Sequence, residues 1–130
     1  MAPKELNRAL ALLGPLEGRI MRVVWSGQVG ERFTVRDIQR EMSELAYTTI
    51  MTTVVRLATK GLLHVRTISQ QKAHEYRVAL RPEEFVTRAS RQDVAQLVRR
   101  YGDAALIAFA ARIDELDAEQ RKRLRELGRQ

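Results

Sequence analysis

Leu45-Ala46-Tyr47-Thr48-Thr49-Ile50-Met51-Thr52-Thr53-Val54-Val55-Arg56-Leu57-Ala58-Thr59-Lys60-Gly61 is the stretch whose reading decides the fold. Its apolar residues recur at helical spacing, and Gly61 is a stop signal, so a helix is expected from Ala46 to Lys60. Take Ile50 as the inward direction. At about 100° per residue, Val54 and Leu57 fall within about 40° of it. Thr48, Thr52, Val55 and Thr59 fall on the opposite side. Met51 borders that outer stripe on one flank, and Thr49, Arg56 and Lys60 border it on the other. Threonine is a mediocre helix former, so Thr48, Thr49, Thr52 and Thr53 together weaken the helix unless the surface they make has a use. A stripe of hydroxyls and methyls with cations beside it suits a DNA major groove: short side chains toward base edges, cations toward phosphate.

Upstream, a second short helix is expected. Thr34 is placed to cap it, with Asp37 three residues on, and Val35, Ile38 and Met42 form its inner face. Ser43-Glu44-Leu45 makes a brief turn, which completes a helix-turn-helix. Phe33-Thr34-Val35 offers a short strand before it. Earlier still, Gly14-Pro15 opens a helix carrying Leu16, Ile20, Val23 and Val24 on one face, closed by Trp25. Residues 1–12 read as a mobile arm with some helical content.

Downstream of Gly61 the period changes from helical to alternating. Leu63, Val65 and Thr67 alternate with His64, Arg66 and Ile68. Ser69-Gln70-Gln71-Lys72 is turn-like, and Ala73 to Ala79 alternates again. This is a hairpin, the wing of a winged helix-turn-helix. Arg66, Lys72, His74 and Arg77 are its candidate phosphate or minor-groove contacts. His64 and His74 are expected to face each other, but two histidines without a third ligand make a poor metal site, so no metal is expected.

From Pro82 on there is no strand signal. Three helices are expected, at about 82–101, 103–114 and 117–128, with Asp103 and Asp117 as caps and Gln120 completing a capping box. Their apolar positions exceed what an isolated helical hairpin can bury. Val94, Leu97, Val98, Tyr101, Leu106, Phe109, Ile113 and Leu124 are the candidate dimer interface. Arg121-Lys122-Arg123-Arg125 reads as a solvated outer face. The fold class is therefore mainly α with a small β-hairpin: a winged helix-turn-helix domain at 1–80 and a helical dimerisation domain at 81–130.

Composition narrows the function. The 130 residues carry a net charge of +7, which points to a polyanionic partner. Residues 46–80 hold five cations (Arg56, Lys60, Arg66, Lys72, Arg77) against the single acid Glu75. With no cysteine, disulfides, thiolate metal sites and cysteine nucleophiles are excluded together. No nucleophile–base pair or carboxylate pair is visible, so no catalytic residue and no cofactor is expected. No signal segment or membrane span is readable, so the chain is expected to be cytoplasmic without membrane insertion.

The Leu13-Gly14-Pro15-Leu16-Glu17 segment through Trp25, the run Leu45 to Leu57, Lys60-Gly61-Leu62 and the His74-Glu75-Tyr76 strand together resemble the penicillinase-repressor family of winged-helix transcriptional repressors. The likeness extends from residue 13 to about 128. It implies a homodimer that binds a palindromic operator in double-stranded DNA and dimerises through its C-terminal helices. Carried over, Thr48, Thr49, Met51 and Thr52 hold base-reading positions, and Tyr47, Arg56 and Lys60 hold backbone positions. Thr34 joins the candidate backbone contacts. The resemblance also implies release through cleavage triggered by a β-lactam-sensing membrane protease, with another inducer, a small-molecule effector, as the alternative. Where some members have lysine and arginine, this chain has Thr48 and Met51, so no bidentate guanine contact comes from that face. Gln92-Asp93 stands in the region of the family's Asn-Phe cleavage bond. The cysteine hook of the copper-responsive branch is missing. The alternative from the residues alone is a winged helix that binds protein without specific DNA binding.

Overall fold

The computed structural model describes residues 3–68 and 73–129. Among these described residues seven helices and three strands follow one another: α1 (Pro3–Ala11), α2 (Pro15–Trp25), β1 (Arg32–Phe33), α3 (Val35–Glu41), α4 (Tyr47–Thr59), β2 (Leu63–Ile68), β3 (Ala73–Val78), α5 (Pro82–Tyr101), α6 (Asp103–Asp114) and α7 (Ala118–Leu127). The chain divides into two compact units, up to Ala89 and from Ser90.

The first unit is a winged helix-turn-helix. Its core is built on the inner face of α4, where Ile50, Val54 and Leu57 are fully buried. Ile20, Met21 and Val24 of α2 and Val35 and Ile38 of α3 join them. Thr34 caps α3 reciprocally with Asp37: its backbone N–H donates to Asp37 Oδ2 (2.8 Å), and the Asp37 N–H donates to Thr34 Oγ1 (3.3 Å). Gln39 Nε2 donates to the Leu45 carbonyl (3.3 Å), which fastens the turn between α3 and α4. Trp25 lies against the core and donates from Nε1 to Leu80 O (2.9 Å).

The sheet has three antiparallel strands in the order β1-β3-β2. The hairpin register pairs Leu63 with Val78 and Val65 with Tyr76, and β1 pairs Phe33 with Tyr76. Phe33, Leu63 and Tyr76 are buried, so their face of the sheet closes the core.

Four expectations are corrected. Within the stretch expected to be a mobile arm, Pro3–Ala11 form the regular helix α1, and Ala9 is fully buried in the core; residues 1 and 2 lie outside the described residues. The first strand is Arg32–Phe33 rather than residues 33–35, because the Thr34 cap has already turned the chain into α3. Asp103 is the first residue of α6 rather than its cap. Gly102 takes the cap position at φ +58°, a conformation an aspartate adopts only with strain. His64 and His74 do not face each other. His64 is opposite Arg77, and His74 is opposite Thr67, on the other face of the hairpin.

The second unit holds most of α5 with α6 and α7. Asp117 and Gln120 form the expected capping box. Among its described residues only Ala105 is buried. Val94, Leu97, Tyr101, Leu106, Ile107, Ile113, Leu124 and Leu127 all stand exposed.

Gly61 ends α4 at φ +84°, and a Cβ there would lie 2.7 Å from Arg88 Nη1. Arg88 Nη2 in turn donates to Lys60 O (2.6 Å). At Gly27 (φ +80°) a Cβ would meet nothing within 4 Å. Gly27→Ala is therefore expected to cost about 1 kcal/mol through backbone strain alone. Gly61→Ala should cost about 1 kcal/mol more, because it also displaces the Arg88 hydrogen bond. Urea unfolding of the two variants checks this, and equal losses would refute the role given to Arg88.

Candidate nucleic-acid interface

α4 is amphipathic in an unusual sense: its outer face is short and uncharged. Thr48, Thr49, Met51, Thr52, Val55 and Thr59 are exposed, while Thr53 is buried with the core. Two of the outer threonines are bonded along the helix. Thr52 Oγ1 donates to Thr48 O (2.9 Å), and Thr59 Oγ1 donates to Val55 O (3.0 Å). The buried Thr53 does the same to Thr49 O (3.0 Å). A hydroxyl that donates back to the preceding turn keeps only acceptor capacity, and its methyl becomes the outward group. At Thr52 and Thr59 the face thus offers methyls with acceptor oxygens, and the hydroxyls of Thr48 and Thr49 and the thioether of Met51 lie beside them.

Tyr47 opens the helix. The guanidinium of Arg36 on α3 lies 5.2 Å from its ring centroid, so the ring also braces the two helices of the motif. Arg56 is exposed and has no ion-pair or hydrogen-bond partner among the described residues. Thr34 is half-buried, with its hydroxyl and N–H engaged in the α3 cap.

The described cations of the wing, Arg66 and Arg77, share one face, and His74 lies on the other. His74 lies on the inner face with Val65 and Tyr76. Together with Val55, Ala58 and Thr59 of α4 these residues line a groove of about 360 Å³. Arg66 and Arg77 point to the other face of the sheet. Arg66 is also ion-paired, its Nη2 2.8 Å from Glu75 Oε1. Lys72 lies outside the described residues. Among the described wing residues singled out in the sequence, His74 is the one brought beside α4.

A family model described as penicillinase repressor matches residues 13–130. The chain belongs to the penicillinase repressor family. Two relatives, both named transcriptional regulator BlaI, come from Mycobacterium tuberculosis strains CDC 1551 / Oshkosh and ATCC 25618 / H37Rv. Each is 38% identical over 118 residues, covering 86% of this chain and 83% of the relative. Among solved structures, the crystal structure of transcriptional regulator PA4135 aligns at TM-score 0.43 and 15% identity, over 86% of this chain and 81% of that one. The protein is accordingly a transcriptional repressor and not an enzyme. No helix among the described residues is long and apolar enough to cross a membrane.

The cation at the end of α4 is committed inside the molecule. Lys60 Nζ sits 2.8 Å from Oε2 of Glu17 on α2. Glu17 is only 6% exposed, and its Oε1 also accepts from the Gly14 N–H (3.1 Å). The carboxylate therefore caps α2 and holds the far end of α4 at once. Sequence periodicity could not find this role, because the partner is 43 residues away. Burial pushes the Glu17 carboxyl up. The hydrogen bonds from Lys60 and Gly14, with the charges of Lys60 and Arg56, outweigh burial and leave it below the usual 4.5. A depressed carboxyl stabilises the fold above its unfolded value and loses that contribution as pH falls through the folded value. Glu17→Gln should therefore cost about 1 kcal/mol at pH 7, the worth of one hydrogen-bonded pair with a half-exposed partner. The gap to wild type should close as pH drops below about 4.5. Unfolding curves taken across that range test it; a gap unchanged down to pH 3 would mean the charge is not what matters.

Proposed function

We propose that this repressor binds a palindromic operator as a homodimer, with α4 in the major groove and the β2–β3 hairpin as a wing over the neighbouring backbone. The observation that carries the reading is the division of α4 into a fully buried face and an exposed face of threonine methyls and acceptor oxygens. Such a face reads by apolar contact with the thymine methyl and by accepting from exocyclic amino groups. Thr48, Thr49, Met51 and Thr52 do this reading. Arg56, Tyr47 and His74 contact backbone phosphate, and affinity rests on them more than on Lys60, whose ammonium is held by Glu17. With weak discrimination per contact, specificity comes from A/T-rich half-sites, DNA shape and fixed spacing.

The dimer is supported by the second unit. A segment whose described residues bury little beyond Ala105 has no core of its own, and its exposed leucines, isoleucines and tyrosine need cover. Leu97, Tyr101, Ala104, Ala105, Ala108 and Phe109 already line an apolar groove of about 310 Å³. Release by cleavage at Gln92-Asp93 would require local opening first, since both residues lie well inside α5.

Two experiments test the proposal. In gel shifts against a selected operator, the double change Thr48→Ala with Thr52→Ala should lower preference over random duplex about tenfold or more. Thr52→Val, which keeps the methyls, should stay within about threefold of wild type. Arg56→Ala should weaken specific and random binding alike and flatten the salt slope by about one. Unchanged preference in the double variant would sink the reading helix. In sedimentation equilibrium at micromolar concentration, the wild-type chain should run as a dimer and Leu106→Asp as a monomer with operator affinity down about a hundredfold. A monomeric wild type would overturn the assembly.

A further inference from the structure

The sheet face turned away from α4 carries charge that the DNA-reading geometry does not use. Strand alternation puts Arg32, His64, Arg66, Glu75 and Arg77 on this face, opposite to buried Phe33, Leu63 and Tyr76. Across the three strands Arg32 is directly opposite Arg77, and Arg77 is directly opposite His64. Like charges in directly opposed positions destabilise a sheet. The acid on this face, Glu75, is spent on Arg66 at 2.8 Å. Among the described residues Arg32 and Arg77 have no acidic partner. The five charged and imidazole side chains line a cleft of about 380 Å³.

We propose that this cleft is a binding site for a small phosphate-bearing ligand, held between the guanidiniums of Arg32 and Arg77 with His64 as a further donor. The chemistry selects the class. Two guanidinium forks opposed across adjacent strands match the tetrahedral oxygens of a phosphate, and the anion relieves the repulsion that the register imposes. Arg66, neutralised by Glu75, sets the edge of the site. A duplex is disfavoured as the source of the phosphate because α4 and the inner groove lie on the opposite face of the sheet. The site is independent of the proposed operator reading, which rests on α4.

The test uses the full chain in phosphate-free buffer, titrated with pyrophosphate while chloride holds the ionic strength constant. Amide spectra should show saturable shifts in β1 and β3. Arg32→Gln and Arg77→Gln should each raise the pyrophosphate Kd about tenfold. Arg77→Lys should fall between, and Arg121→Gln on α7 should change nothing. Because both glutamine variants remove a like-charge contact, their thermal unfolding should match or exceed wild type, which separates lost binding from lost folding. A response that does not saturate, or that survives both glutamine changes, overturns the site. So does a loss of duplex affinity in phosphate-free buffer by the same two variants, which would assign the row to the DNA backbone.

Discussion

Everything in the first unit depends on keeping one face of α4 out of water. Ile50, Val54 and Leu57 are fully buried, and burying side chains of this size contributes about 1.5–3 kcal/mol each. The demand is directional. α2 and α3 supply Ile20, Met21, Val24, Val35 and Ile38, and the sheet supplies Phe33, Leu63 and Tyr76. Once those surfaces have closed on the helix, its remaining face has nowhere to go but outward. A helix anchored so completely on one side can carry several poor helix formers on the other, because packing rather than propensity holds it.

The ends of α4 are fastened by charge and hydrogen bonding. Arg36 over Tyr47 and Gln39 on Leu45 hold the start. Lys60 on Glu17 and Arg88 on the Lys60 carbonyl hold the finish. Three of the chain's cations, Arg36, Lys60 and Arg88, thus serve the helix's placement rather than its target. Net charge overstates what is free to meet a polyanion, and Arg56 is an exposed cation beside the outer face of α4. The wing contributes less there than its composition suggests, since strand alternation turns Arg66 and Arg77 to the face away from α4.

The second unit follows a different rule. Its helices are regular and well capped, with Asp117 and Gln120 closing the start of α7. Its apolar residues nonetheless stand in solvent in a single chain. Local structure there is satisfied by capping and periodicity, while burial would fall to the proposed association.

The sequence by itself determined helices α2 to α7, the hairpin and the helix-turn-helix, and it determined which side of α4 faces inward. Ile50, Val54 and Leu57 lie inside and Thr48, Thr52, Val55 and Thr59 outside, as the 3.6-residue period requires. The Thr34–Asp37 and Asp117–Gln120 boxes were equally readable, because a cap acts across three residues. Tertiary structure decided the rest. Lys60 looked like a free phosphate contact until α2 brought Glu17 to it. Ala9 looked like part of a loose arm until the core closed over it. Arg32 drew no attention until β1 joined the hairpin and set it opposite Arg77. Periodicity is a property of neighbours along the chain, so it assigns faces. Ion pairs and strand register are set between residues tens of positions apart, and only the folded chain brings those together.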